Sequence, residues 1–130
     1  MRLLLDTHVA LWATTEPERI PPSIAELIAD QSNEVFVSVA SLWEIAIKRS
    51  SGRNPGAMPI SAVDAELEFA AVDFALLNVT PTHAIAVETL PPIHRDPFDR
   101  LIVAQALSEP LRLVTHDAVL ARYSDTVICF

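Results

Sequence analysis

The run Arg2-Leu-Leu-Leu5, stopped by Asp6, and its counterpart Glu34-Val-Phe-Val37 decide how this chain is read. Each is a short stretch of strand-forming residues, too brief for a helix, and the first is apolar after Arg2, as expected of a strand covered on both faces. The segments around them carry helical signals. Residues 9 to 13 can begin a helix, and residues 21 to 29 space Ile24, Leu27 and Ile28 along one face, with Pro21 and Pro22 suited to a first turn. A helical pattern runs from about residue 39 to 49, and Ser-Gly-Arg-Asn-Pro-Gly at 51 to 56 breaks it as a loop. Residues 61 to 73 and 82 to 90 read as helices around a third strand at 75 to 79. A helix at 97 to 108, a strand at 111 to 114, a short helix at 118 to 122 and a last strand at 126 to 129 follow. Short strands alternating with helices predict an α/β fold with a parallel sheet between helix layers.

At 130 residues with 51% hydrophobic content and two glycines, the chain is expected to be a single domain, residues 1–130, with one core. Its apolar amino terminus is cut short by Asp6, and no run approaches the roughly 18 residues of a membrane span, so a cytoplasmic protein with no membrane association is expected. The lone Cys129 supports neither a disulfide framework nor a thiolate metal site and is expected to be a small buried residue of the last strand. Nine Lys+Arg against 17 Asp+Glu leave a formal charge of −8. That balance excludes a protein holding nucleic acid by general electrostatics alone. A polyanionic substrate would need a metal ion, a second subunit or a partner to meet it.

The acidic residues are not scattered. In an open parallel sheet ligands bind beyond the carboxyl ends of the strands. Asp6 follows the first strand, Glu44 lies early in the helix after the second, Asp96 and Asp99 flank the start of the helix at Pro97, and Asp117 follows the strand at 111 to 114. Each also has a structural explanation. Asp6 and Asp117 suit N-caps; Asp96 suits one better still, with Pro97 at N1 and Asp99 at N3, where the helix dipole favours a carboxylate. Ser41-Leu-Trp-Glu44 fits a capping box. Caps alone would fall at both ends of the sheet, whereas these carboxylates share one. Gathered there they raise each other's pKa unless a cation sits among them. A hard divalent ion held by oxygen, Mg²⁺ or Mn²⁺, meets that need and turns an acidic pocket into a phosphate-binding one.

Four segments, Leu-Leu-Leu-Asp6-Thr-His, Ser41-Leu-Trp-Glu44-Ile, His94-Arg-Asp-Pro-Phe-Asp99-Arg-Leu-Ile and Leu-Val-Thr115-His-Asp117, resemble in order and spacing the PIN-domain nucleases, and within them the VapC toxins of toxin–antitoxin pairs. The resemblance implies a three-layer α/β/α sandwich with a central, mainly parallel sheet. It implies an Mg²⁺-dependent endoribonuclease, with Mn²⁺ able to substitute, that hydrolyses RNA phosphodiesters by metal-activated water and leaves a 5′-phosphate and a 3′-hydroxyl. Carried over by position, Asp6 and Asp99 hold the main metal, while Glu44 and Asp117 bind it through water or complete a second site. Asp96 serves chiefly as the cap of the Asp99 helix. The partners implied are a cognate antitoxin, an RNA substrate and a second copy in a homodimer.

Other side chains carry open alternatives. Arg95 and Arg100 offer a guanidinium to substrate phosphate or an ion pair to Asp96 or Asp99. Thr7 and Thr115 either hydrogen-bond carboxylates and waters or cap helices. His8, His83, His94 and His116 match no zinc spacing and are expected to face solvent or cap. Lys48, Arg49 and Arg53 track RNA or form a solvated helix end, and Trp12 and Trp43 build a partner surface or the core. Two further functions compete with the nuclease: a catalytically silent PIN-like module that only binds partners, and a receiver or phosphatase domain phosphorylated on Asp6. The phosphatase pattern places a second aspartate where this chain has His8.

Overall fold

Leu3, Leu4 and Leu5 are all fully buried, and their alternation sorts the molecule into two faces. Leu3 and Leu5 point into one core with Val35, Val37 and Val114, and Leu4 points into the other with Leu113 and, at its edge, Phe36. The computed structural model describes residues 1–51 and 58–130. Its elements are β1 (Arg2–Leu5), α1 (Thr7–Thr15), α2 (Pro22–Ala29), β2 (Glu34–Ser38), α3 (Val39–Ser50), α4 (Ala62–Ala71), β3 (Ala75–Leu77), α5 (Pro81–Ala86), α6 (Pro97–Ser108), β4 (Arg112–Thr115) and β5 (Ile128–Cys129). Single 3₁₀ turns occupy Pro17–Arg19, Val87–Thr89 and Leu120–Tyr123.

The five strands form one parallel sheet in the order β3-β2-β1-β4-β5, with Leu4 opposite Phe36 on one side and Leu113 on the other. Helices α1 to α4 contribute Val9, Leu11, Ile24, Ile45, Ala65 and Phe69 to the first core. Helix α6 contributes Ile102, Val103 and Ala106 to the second, and α5 packs on α6. The expected α/β/α layering is therefore present, and the sheet is parallel throughout. The chain walks outward from β1 to β3, then returns across β1 to place β4 and β5 on the other side. That reversal makes the carboxyl ends of β1 and β4 neighbours at the switch point of the sheet. The Asp6 N–H donates to the Val114 carbonyl at 3.0 Å, tying the residue after β1 to the end of β4.

Two local expectations change. Cys129 is exposed, because β5 is an edge strand whose alternation turns Ile128 inward and its neighbour out. The two tryptophans divide: Trp12 packs against the first core, while Trp43 is 58% exposed and meets Phe98 edge-on at 5.1 Å. Residues 52 to 56 of the expected loop, Arg53 among them, lie outside the described residues.

Leu4 sits in the central strand with no exposed area. Leu4→Ala is expected to cost about 3 kcal/mol of unfolding free energy, as buried leucine truncations do, which urea denaturation followed by circular dichroism measures.

Candidate active site

Asp6 follows β1 and caps α1. Its Oδ1 accepts the Val9 N–H at 2.9 Å, and its Oδ2 accepts the hydroxyl of Thr115, the last residue of β4. Both oxygens are thus aimed by neighbours, and the residue is 7% exposed. Burial raises its pKa above the ordinary value, with the hydrogen bonds from Thr115 and Val9 opposing that and the charge of Glu44 adding to it. Of the alternatives for Thr115, carboxylate binding is what the structure shows, and a carboxylate with both oxygens so engaged is poorly placed to accept a phosphoryl group.

Glu44 does not close a capping box with Ser41. Strand β2 runs one residue further than expected, α3 starts at Val39, and its cap is Ser38, whose Oγ accepts the Ala40 N–H at 3.0 Å. Glu44 therefore lies in the second turn, where it is 3% exposed. Its Oε1 accepts the Thr7 hydroxyl at 2.7 Å, and its Oε2 meets the Lys48 ammonium at 2.5 Å. Ser41 Oγ lies 2.9 Å from the same Thr7 hydroxyl. Lys48 was expected to track RNA or sit in solvent; it is the partner of a buried acid one helical turn back. That i, i+4 spacing was readable in the sequence.

Asp96 caps its helix, as expected. Asp96 Oδ1 accepts the N–H groups of Phe98 at 2.8 Å and Asp99 at 3.1 Å, with Pro97 at N1. Asp99, at N3, faces the site, and its pKa is pushed up to about 7. Burial is the largest cause; the charges of Asp96, Glu44 and Asp6 add to it, and His94 opposes it. Asp117 follows β4. Its N–H donates to Thr115 Oγ1 at 3.0 Å and its Oδ1 accepts the Val119 N–H at 2.9 Å. The side chains of Asp6, Glu44 and Asp99 thus sense one another's charge, and Asp99 is close to Asp117.

His94 was not expected in this group. Its Nε2 lies 3.0 Å from Asp117 Oδ2 and 3.5 Å from Asp99 Oδ2, and its Nδ1 accepts the Asp96 N–H at 3.0 Å. No zinc-like spacing announced it, because its neighbours are joined by the fold and not by the sequence. His83, in contrast, does cap: it forms a reciprocal box with Thr80 at the start of α5 and bonds Glu109. His8 and His116 are exposed, and His116 Nδ1 meets the Phe130 carbonyl oxygen.

Neither expected role of Arg100 is the one found. Its guanidinium donates to the carbonyls of Pro91 at 3.0 Å, Val87 at 3.2 Å and His94 at 3.4 Å, and to Tyr123 Oη at 3.2 Å. It staples the segment before α6 in place of reaching a phosphate. Arg95 is exposed, and among the described residues no hydrogen bond or ion pair holds it.

A cluster of acidic side chains at the switch point of a parallel sheet, built from these four segments in this order, has a counterpart among known proteins: the PIN-domain profile matches residues 3–125. The chain belongs to the PIN-domain family. It is 34% identical over 116 residues to Ribonuclease VapC22 of Mycobacterium tuberculosis, a match covering 88% of this chain and 86% of that one. Its fold is similar to those of VapBC2 from Rickettsia felis bound to a DNA fragment from their promoter, with a TM-score of 0.70 and 17% identity, and VapBC-1 from nontypeable Haemophilus influenzae, with 0.67 and 18%. Both superpositions cover 100% of this chain, and they cover 98% and 97% of those chains.

PIN-domain ribonucleases generally depend on a divalent metal. The residues of this PIN domain fit one. Ligand atoms of His94, Asp99 and Asp117 lie within 4.8 Å of one another. The carboxylates supply the hard oxygen donors that Mg²⁺ and Mn²⁺ take. Asp99 in particular is a carboxyl whose ionised form burial and three neighbouring acids disfavour, and a bound cation reverses that balance.

Proposed function

We propose that residues 1–130 act as one metal-dependent endoribonuclease domain, the toxin of a toxin–antitoxin pair, using Mg²⁺ with Mn²⁺ as a substitute. The observation that carries the reading is Asp99, held at a helix start among Asp6, Glu44 and Asp117 with its pKa raised to about 7. Likeness to a ribonuclease over most of both chains supports the choice of RNA. Among the described residues no helix is long and apolar enough to cross a membrane, and we place the enzyme in the cytoplasm.

When bound, the cation supplies the acidification of water and the neutralisation of phosphate charge. Asp6, Asp99 and Asp117 would hold it. Val9 N–H and the Thr115 hydroxyl, one on each carboxylate oxygen, keep Asp6 from rotating. Glu44, with one oxygen on Thr7 and the other on Lys48, is an anchored carboxylate that would accept a hydrogen bond from a metal-bound water. Arg95, exposed and unpaired among the described residues, is the guanidinium available to a substrate phosphate, the role that Arg100 cannot take while it binds carbonyls. The chain is similar in fold to VapBC structures, and its cluster of acidic side chains suits a partner tail that brings in a basic side chain. We place this chain in a homodimer bound by such an antitoxin.

The test is cleavage of total cellular RNA by the purified chain in Mn²⁺ or Mg²⁺, with the new ends mapped. We expect 5′-phosphate ends that disappear with chelator and with Asp6→Asn, whose circular dichroism matches the parent. Cleavage that persists in chelator overturns the metal mechanism. No cleavage in either metal leaves the partner-binding module as the reading.

A further inference from the structure

We propose that His94 is a positioning residue of this site: its Nε2–H is a donor that orients the Asp117 carboxylate beside Asp99, and it is not a ligand of the metal. The inference rests on the metal-nuclease reading above. By distance alone His94, Asp99 and Asp117 look like a three-ligand group. The protons say otherwise. Nδ1 accepts the backbone N–H of Asp96 at 3.0 Å, and an imidazole nitrogen that accepts carries no proton, so in the neutral ring the proton is on Nε2. Ligation through Nε2 would require moving that proton to Nδ1, where it would face the Asp96 N–H donor to donor.

The His94 backbone is held as well. The His94 N–H donates to Tyr123 Oη at 2.8 Å, and Arg100 bridges the His94 carbonyl and the same hydroxyl. Asp117 is then fixed at both oxygens, Oδ1 by the Val119 N–H and Oδ2 by His94 Nε2–H at 3.0 Å. Asp99 Oδ2, 3.5 Å from the same nitrogen, sits at the edge of that contact. The stretch from His94 to Arg100 is therefore one wired unit: the Asp96 N–H sets the histidine tautomer, the Asp96 side chain sets α6, and the histidine and helix start together align Asp117 with Asp99. Removing hydrogen-bond partners of metal-binding groups costs about 10–100-fold in metal affinity.

Three substitutions separate the roles. Glutamine carries an acceptor and a donor on one carbon, as the imidazole carries Nδ1 and Nε2–H; glutamate keeps ligating oxygens but has no donor; leucine has neither. With the full chain, Mn²⁺ titration calorimetry is expected to give His94→Gln within about threefold of the parent and His94→Leu and His94→Glu about 10–100-fold weaker. Imidazole ¹⁵N spectra of the parent are expected to show the Nε2 proton retained when diamagnetic Mg²⁺ is added. Loss of that proton on Mg²⁺ binding, or tighter binding by His94→Glu than by His94→Gln, makes the residue a ligand and overturns the proposal. Equal affinity in all variants, or equal loss in the glutamine and leucine variants, overturns it too. A parent that binds no Mn²⁺ instead refutes the metal-nuclease reading itself, and this inference falls with it.

Discussion

Asp99→Asn is expected to lower RNA cleavage about a thousandfold while leaving the metal-free protein at least as stable as the parent at pH 8. The first half follows from the role of a divalent ion in phosphodiester hydrolysis, worth several kcal/mol of transition-state charge stabilisation, at 1.36 kcal/mol per tenfold in rate. The second follows from the direction of the Asp99 shift. A carboxylate at N3 gains from the helix dipole, typically 0.3–1 kcal/mol, yet the pKa stands near 7 against an ordinary 3.8, so burial and the charges of Asp96, Glu44 and Asp6 outweigh that gain. The ionised side chain therefore strains the empty site, and a neutral amide of the same shape relieves it. Asp96→Ala should behave oppositely. It loses two hydrogen bonds to the Phe98 and Asp99 N–H groups, costs about 1 kcal/mol as N-cap removals do, and keeps cleavage within about tenfold. Thermal melts in chelator, paired with single-turnover cleavage rates, measure both. Loss of stability in Asp99→Asn, or parent-like cleavage by it, would refute the role given to this residue.

That contrast within one short stretch shows what could be read from the sequence. Asp96, Pro97 and Asp99 were legible because a helix start is local chemistry: the groups that need one another are two or three residues apart. The strands around Leu3 to Leu5 and Val35 to Val37 were legible for a similar reason, since alternation or its absence is visible in a handful of positions. Glu44 was legible as an acid of the site but not in its setting. The capping-box pattern with Ser41 is a true local signal, and it lost because Ser38, at the end of a strand that runs one residue longer, took the cap first. The Thr115–Asp6 bond and the His94–Asp117 contact were hidden, since each joins residues that only the crossover from β3 to β4 brings together. Arg100 misled because two carboxylates stand near it in sequence. In the fold the guanidinium finds three carbonyls and a tyrosine hydroxyl.

The pH dependence of metal binding is the larger quantitative test. Asp99 must be ionised to bind a cation, and with its pKa at about 7 the metal competes with a proton throughout the acidic range. Mn²⁺ affinity is expected to fall towards tenfold per pH unit well below 7 for one competing proton, hence about fiftyfold between pH 7 and 5. Calorimetry in buffers of different ionisation enthalpy should detect proton release on binding near pH 6. Asp6, whose pKa burial also raises, adds to the steepness. In the metal-free protein the sign reverses. The native state holds the Asp99 proton more tightly than the unfolded chain does, so this group's contribution is fully present below the unfolded value of 3.8 and is lost as pH rises towards 7. The metal-induced rise in melting temperature should therefore be small at pH 5.5 and grow to pH 8, and Asp99→Asn should flatten it. Affinity unchanged between pH 5.5 and 7.5 would mean that Asp99 is ionised without metal, and that burial and the neighbouring acids do not hold its proton. Because burial outranks the neighbouring carboxylates as the cause, Asp96→Ala should shift this profile towards lower pH only in part and leave its slope intact.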